Sequence, residues 1–289
     1  MRTRLEARPP FDAGGILAFL GTRAMPGVEE VEGGVYRRAL LLSGGEAIAE
    51  AKPLPTGLEV QLWLSDPGDR AEALAALGRL FDLEADSAAV DARLGEDEML
   101  APLVARTPGK RLPGCVDAAE IAVRAVLGQQ VSVAAGITLA GRLVAEVGRP
   151  LAAPRGSVVR AFPAPAAVAA VDPATLAMPR SRSRALIAVC SGLAEGTVDL
   201  SPAADPSLAR AQLTALPGIG PWTAEYVAMR ALGDGDAFLA TDLGVRRALE
   251  RLGAGGSPAE ALRRAEAWRP WRAYAQQHLW ASLGGAAAA

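Results

Sequence analysis

Cysteine and histidine are nearly absent: Cys115, Cys190 and His278 are all that the 289 residues hold. So few thiols and imidazoles exclude a disulfide framework and a four-ligand metal site. No stretch of about 18 uninterrupted apolar residues occurs, so no membrane-spanning helix is expected. The opening Met1-Arg2-Thr3-Arg4-Leu5-Glu6 lacks the apolar core of a secretion signal, which predicts a cytoplasmic protein. Aromatic residues are scarce at 4%, yet over half of them lie from Trp222 onward. An excess of positive charge is also missing, with a net charge of −2. That balance runs against a nucleic-acid partner, although a binding footprint depends on local charge. Arg246, Arg247, Arg251, Arg263, Arg264, Arg269 and Arg272 crowd the last fifth of the chain, while many acids sit in the first hundred residues.

What is present is the composition of a folded chain, 51% apolar and 21% charged, long enough for two or three domains. Phe11 to Arg23 reads as a short helix. Val35 to Leu42, Glu46 to Lys52 and Leu58 to Leu64 read as strands, separated by Gly44-Gly45 and by Pro53-Leu54-Pro55-Thr56-Gly57. Asp69 to Leu83 carries Leu74, Leu77, Leu80 and Phe81 on one side and reads as a helix. From about Ala85 the pattern is helical only. Asp117 followed by Glu120 forms a capping-box-like start, and Val133, Ile137, Ala140 and Val144 repeat at helical spacing. Leu186 to Leu193, Leu208 to Leu216, Trp222 to Leu232 and Leu243 to Leu252 follow, and Gly255-Gly256-Ser257-Pro258 precedes a last pair of helices. The tail, Gly284-Gly285 and four alanines, is expected to be disordered. The expected class is α+β: a small mixed α/β domain over residues 1–92, then a two-lobed all-helical body over 93–289.

The most informative segment is Leu216-Pro217-Gly218-Ile219-Gly220-Pro221-Trp222-Thr223-Ala224, inside a helix–turn–helix at about 207–232. Gly218 and Gly220 permit positive φ and close backbone approach. Pro221 suits the first turn of a helix, where its missing N–H costs nothing. Free amides and the positive dipole end at that helix start can hold a phosphate. Such a contact carries no sequence information. The motif alone fits a tight turn between packed helices equally well. A P-loop does not fit, because no Lys-Ser/Thr follows the glycines.

Leu-Pro-Gly-Ile-Gly before a helix resembles the helix-hairpin-helix of DNA-repair glycosylases. Phe238-Leu239-Ala240-Thr241-Asp242-Leu243, roughly twenty residues on, stands where that superfamily carries an aspartate. The whole chain, from Arg8-Pro9-Pro10-Phe11-Asp12 to His278-Leu279-Trp280, resembles the AlkA type, the 3-methyladenine DNA glycosylases II. Arg79-Leu80-Phe81-Asp82-Leu83, Leu112-Pro113-Gly114-Cys115-Val116-Asp117, Leu127-Gly128-Gln129-Gln130-Val131-Ser132-Val133-Ala134 and Trp268-Arg269-Pro270-Trp271-Arg272 match in order.

Breaking a base–deoxyribose bond builds positive charge on the sugar, and a carboxylate stabilises that state or activates water. Asp242 is the candidate. Pattern alone favours Asp242, or Thr241, as a helix cap; the resemblance implies catalysis, and one residue can do both. Alkylated purines such as 3-methyladenine are cationic, and aromatic faces hold cations. Trp222 and Tyr226 share a helix face one turn apart, whereas Phe238, Trp268 and Tyr274 read as core. The resemblance implies that Phe19, Trp222, Tyr226 and Trp280 line a base pocket together with Gln129 and Leu243, the last standing where a relative has an aromatic. A base inside a duplex must be flipped out; by resemblance Gln130, in the turn Gly128-Gln129-Gln130-Val131, is the wedge. Gly218, Ile219, Gly220 and Thr223 are implied to hold DNA. The lysine of strand-cutting relatives is here Trp222, and the four spaced cysteines of iron–sulfur relatives are missing. His278 reads as structural. The resemblance further implies a monovalent cation on the backbone carbonyls of Thr214, Leu216 and Ile219, and no other cofactor. The expectation is therefore a monomeric, monofunctional glycosylase excising alkylated purines from double-stranded DNA, remote from any membrane. The alternatives are a glycosylase for another lesion and a non-catalytic module that binds damaged DNA.

Overall fold

The computed structural model describes residues 1–284; the tail expected to be disordered lies, from residue 285, outside the described residues. Five strands open the chain around one helix: β1 (Arg2–Glu6), α1 (Ala13–Gly21), β2 (Glu29–Glu32), β3 (Val35–Leu42), β4 (Gly45–Leu54) and β5 (Gly57–Leu64). They form an antiparallel sheet in the order β1-β5-β4-β3-β2. Tight turns set its register. Gly33 and Gly34, at φ 58° and 79°, join β2 to β3 in the left-handed conformations that such a hairpin needs. One face carries Tyr36, Leu40, Ala49, Val60 and Leu62, buried against α1 and α2 (Arg70–Leu80) with Phe81. The expected strands and helices lie within two or three residues of these bounds, but β1 and β2 are additional.

Helices follow: α3 (Ser87–Gly95), α4 (Ala101–Arg106), α5 (Ala118–Leu127) and α6 (Val133–Val147). The chain then departs from the all-helical expectation. β6 (Arg149–Arg155) and β7 (Val158–Ala161) form an antiparallel hairpin. Its Leu151, Val158 and Ala161 bury Ala39 and Ile48 on the other face of the first sheet, beside Trp63. An apolar sheet face needs a cover, and Pro150 and Pro154 are tolerable in a two-stranded hairpin with open edges. The remaining helices are α7 (Pro165–Ala169), α8 (Arg180–Glu195), α9 (Pro206–Thr214), α10 (Pro221–Ala231), α11 (Leu243–Arg251), α12 (Pro258–Ala265) and α13 (Arg272–Ser282). They build two apolar cores. One draws on α5, α6, α8, α9 and α10; the other on α3, α4, α11, α12 and α13. Tyr226 of α10 packs against both.

A buried ion cluster ties the sheet to α5. Arg38 on β3 donates to Glu120 at 2.7 Å, and Arg124 donates to Glu29 at 2.6 Å and to Glu120 at 2.9 Å. Tyr36 donates to Glu29. Burial would push the Glu29 carboxyl up, but Arg124 and Arg38 hold it below its usual range. A buried, mutually satisfied cluster of this kind specifies how two units fit rather than adding much net stability. It also corrects the expected capping box. Asp117 does cap α5, accepting from Ala119 N at 2.8 Å, but the Glu120 carboxylate serves Arg38 and Arg124 instead of reaching back.

Candidate active site

α9 and α10 form the expected hairpin, and its two glycines have different reasons to be glycine. Gly218 has φ 81°, and a Cβ there would stand 2.9 Å from Cβ of Ala185. Gly220 has φ −96°, and a Cβ there would meet nothing within 4 Å, so the fold itself leaves this position open to an incoming group. Among the described residues the amides of Gly218, Gly220 and Trp222 have no acceptor in the chain. They form a small donor set at the dipole-positive end of α10. Ile219 and Thr223, which the resemblance implies hold DNA, have their side chains buried and their amides paired within the hairpin. Ile219 is buried and its amide donates to Leu216 O at 3.2 Å. Thr223 is buried, its amide donates to Gly220 O at 3.1 Å, and its hydroxyl accepts from Gln129 Nε2 at 3.0 Å.

That Gln129 nitrogen also donates to Gly218 O at 3.1 Å. Gln129 thus pins the α5–α6 turn onto the hairpin through its amide nitrogen. The neighbouring Gln130 is exposed and adopts φ 56°, a left-handed conformation unusual for a side-chain-bearing residue. The carbonyls of Thr214 and Ile219 accept no hydrogen bond among the described residues, and Leu216 O accepts one. An oxygen-only donor set of this kind fits a hard cation.

Asp242 is the N-cap of α11, its Oδ1 accepting from Val245 N at 2.9 Å. The same oxygen accepts from Trp280 Nε1 at 2.9 Å, and Oδ2 accepts from Trp222 Nε1 at 3.3 Å. The cap is real, and two indoles from α10 and α13 fix the carboxylate as well. Gly244 lets Trp280 come this close, since a Cβ there would lie 3.0 Å from the indole. Trp222 stacks on Tyr226 at 5.3 Å between centroids and 12° between planes. Phe19 from α1 packs against the same core as Trp222, Tyr226 and Trp280. The structure thus gathers Asp242, Phe19, Trp222, Tyr226 and Trp280. Leu243 is exposed beside them, while Phe238, Trp268 and Tyr274 are buried core.

Two arginines in the same place were not among the expected residues. Arg230 donates to Tyr226 Oη at 3.0 Å and lies 4.9 Å from the Phe19 ring centroid; Arg23 lies 3.9 Å from that centroid. Burial alone would push the Tyr226 phenol up, but Arg230, Arg23 and Arg124 outweigh it and hold it below its usual value. Their signal in the sequence was the i,i+4 spacing of Phe19 with Arg23 and of Tyr226 with Arg230. His278 is buried, and burial together with Lys110 pulls its imidazole down to about 3. Among the described residues no group of three or more His, Cys, Asp or Glu side chains could hold a metal ion.

Residues 2–117 match the family model of the AlkA N-terminal domain, and residues 123–273 match that of the HhH-GPD superfamily base excision DNA repair proteins. The chain belongs to the HhH-GPD superfamily. It is 38% identical over 285 residues to DNA-3-methyladenine glycosylase 2 of Escherichia coli K12, covering 97% of each chain. It is 46% identical over 280 residues to the probable bifunctional transcriptional activator/DNA repair enzyme AlkA of Mycobacterium tuberculosis, covering 97% of this chain and 56% of that protein. The chain therefore spans little more than half the length of that relative. The fold is also that of the 3-methyladenine DNA-glycosylase from Archaeoglobus fulgidus, with a TM-score of 0.83 at 24% identity over 96% of this chain and 97% of the other. Within this HhH-GPD chain, no helix among the described residues is long and apolar enough to cross a membrane.

Proposed function

We propose that the chain is a monofunctional DNA glycosylase that hydrolyses the N-glycosidic bond of alkylated purines in double-stranded DNA. The observation that carries this reading is the Asp242 carboxylate, oriented by two indole N–H groups beside the Trp222–Tyr226 stack. We read the two apolar cores as two lobes, with α10 spanning the seam where the site opens. Amides of Gly218, Gly220 and Trp222 take a backbone phosphate. Gln130 enters the duplex as the base leaves it, and the freed base stacks against Trp222 and Tyr226. Charge then builds on the sugar, where Asp242 stabilises it or orients the attacking water. A scaffold that only bound DNA would need the hairpin but not this carboxylate. A monovalent cation on the carbonyls of Thr214, Leu216 and Ile219 would add positive potential behind the phosphate.

The test is a panel of single-lesion duplexes carrying 3-methyladenine, 7-methylguanine, hypoxanthine, ethenoadenine or 8-oxoguanine, with released bases identified by mass spectrometry. The expected products are free alkylated purine and an intact abasic strand, with no borohydride-trapped adduct, because no lysine occupies the Trp222 position. Strand cleavage without heat or base would overturn the monofunctional reading. Release of 8-oxoguanine alone would favour a glycosylase for oxidised purines, and tight binding with no base released would favour a binding module.

A further inference from the structure

The proposed base pocket contains more positive charge than a site for cationic bases calls for. Arg23 and Arg230 both lie against Phe19, and neither makes an ion pair with a carboxylate among the described residues. Arg230 is spoken for by other partners: it donates to Pro113 O, to Gly114 O at 3.0 Å and to the Tyr226 hydroxyl at 3.0 Å. Arg23 is not. Its side chain makes one good hydrogen bond, to Thr22 Oγ1 at 3.0 Å, and a long one of 3.5 Å to Phe19 O. Its backbone, by contrast, is locked, since Arg124 donates to Arg23 O at 2.6 Å.

Half-buried at the end of α1, the Arg23 guanidinium retains unused donors. Burial pulls it down to about 10, Arg230 and Arg124 pull the same way, and Tyr226 and Asp242 act in the opposite sense. It therefore remains a cation at neutral pH and shares its electrostatic surroundings with both the stacking platform and the candidate carboxylate. A narrow cavity of about 20 Å³, too small for a base, is lined by Phe19, Tyr226, Arg23 and Arg230, so the arginine stands at the same aromatic wall that a flipped purine would meet.

We propose that Arg23 is a specificity-determining residue: its unpaired guanidinium on the Phe19 ring favours neutral purine lesions that offer a hydrogen-bond acceptor, and disfavours bases with a fixed positive charge. The inference rests on the glycosylase reading above. Two consequences follow from elementary electrostatics. A cationic base entering the pocket meets a like charge in a partly desolvated place, where such repulsion is strongly felt. A neutral base with a carbonyl or ring-nitrogen acceptor meets a charge-assisted donor. Cationic bases leave sugars readily and neutral ones do not, so Arg23 would narrow the spread of excision rates across lesions.

The experiment compares single-turnover excision of hypoxanthine and 7-methylguanine, in otherwise identical duplexes, by the parent chain, Arg23→Gln and Arg23→Lys. Arg23→Gln is expected to raise 7-methylguanine excision and lower hypoxanthine excision, shifting their ratio by roughly tenfold or more. Arg23→Lys keeps the charge and should keep 7-methylguanine excision near the parental rate. A ratio unchanged in Arg23→Gln, or both rates falling by one common factor, overturns the assignment. If Arg23→Gln does not fold, as judged by thermal melting, Arg23→Lys still decides: a rise in its 7-methylguanine rate would show that charge is not what selects. A parent chain that releases neither base defeats the glycosylase reading itself, an outcome distinct from an unchanged ratio.

Discussion

Replacing Asp242 by Asn separates the two roles of this side chain. The cap bond from Val245 N and the bond from Trp280 Nε1 both end on Oδ1, whereas Oδ2 accepts only from Trp222 Nε1 at 3.3 Å. An amide whose oxygen takes the Oδ1 position keeps the first two bonds. Its NH₂ then faces an indole N–H, so one weak hydrogen bond is lost, worth about 1 kcal/mol of stability. Asn is as good an N-cap as Asp, so the variant should fold with nearly the parental melting temperature. What disappears is the negative charge. Against a sugar cation about 4 Å away, at an effective dielectric constant of about 20, that charge is worth about 4 kcal/mol, or roughly a thousandfold in rate. Single-turnover excision measured with saturating enzyme reads this directly. Loss should be greatest for neutral bases, which leave least readily, and binding to duplex DNA with an abasic-site mimic should change far less. A folded Asp242→Asn chain that excises within about threefold of the parent would refute the catalytic assignment and leave Asp242 as a cap alone.

Gly220→Ala places a methyl group where the chain has nothing within 4 Å, so melting should be unchanged while affinity for damaged and undamaged duplexes falls alike; a fluorescence titration showing loss only for damaged DNA would put Gly220 in the pocket instead. Trp222→Ala removes the stacking partner of Tyr226 and one donor to Asp242, and should cost about 1–2 kcal/mol for cationic bases and less for hypoxanthine. Equal single-turnover losses for both would mean that Trp222 merely packs. His278, the single histidine, has its folded-state imidazole pulled down to about 3. The stability it contributes is therefore present above the unfolded value of about 6.5 and is lost as pH falls from there toward 3. Relative to His278→Leu, the parent should lose melting temperature across that window, and the two C–H proton resonances of its one imidazole should not titrate between pH 8 and 5; a midpoint near 6.5 would contradict the burial argument.

The three longest strands and most helices could be read from alternation, helical spacing and turn residues, because there local pattern and tertiary burial agree. Where they disagree, the sequence misleads. Glu29–Glu32, three acids and a valine, offers no strand alternation, yet it is a strand, and Arg124, Arg38 and Tyr36 satisfy Glu29 inside the fold. Arg149–Arg155 holds two prolines and one buried residue, and is a strand because Ile48 and Ala39 need covering. Asp242 was legible as a cap from its position and, by resemblance alone, as a candidate site residue; the structure shows the cap and places two indole N–H groups on the carboxylate. Phe19 could be placed only by resemblance, since no local pattern links α1 to α13. Arg23 and Arg230 were overlooked because charged residues on helices usually face water. The role of Gln129 as a pin depended on a contact with residues some ninety positions away.

Phe19 stands near the start of the chain and Trp280 in its last described helix, yet both pack into one apolar core, where Trp280 donates to Asp242. Translation therefore delivers the parts of the proposed site in a fixed order: Phe19, then the turn between α9 and α10, then Asp242, and last the indole that donates to it. No nascent chain carries a finished site before α13 has left the ribosome. A frameshift anywhere upstream of Trp280 would yield a product without that indole, even one that lies after the hairpin and leaves it complete.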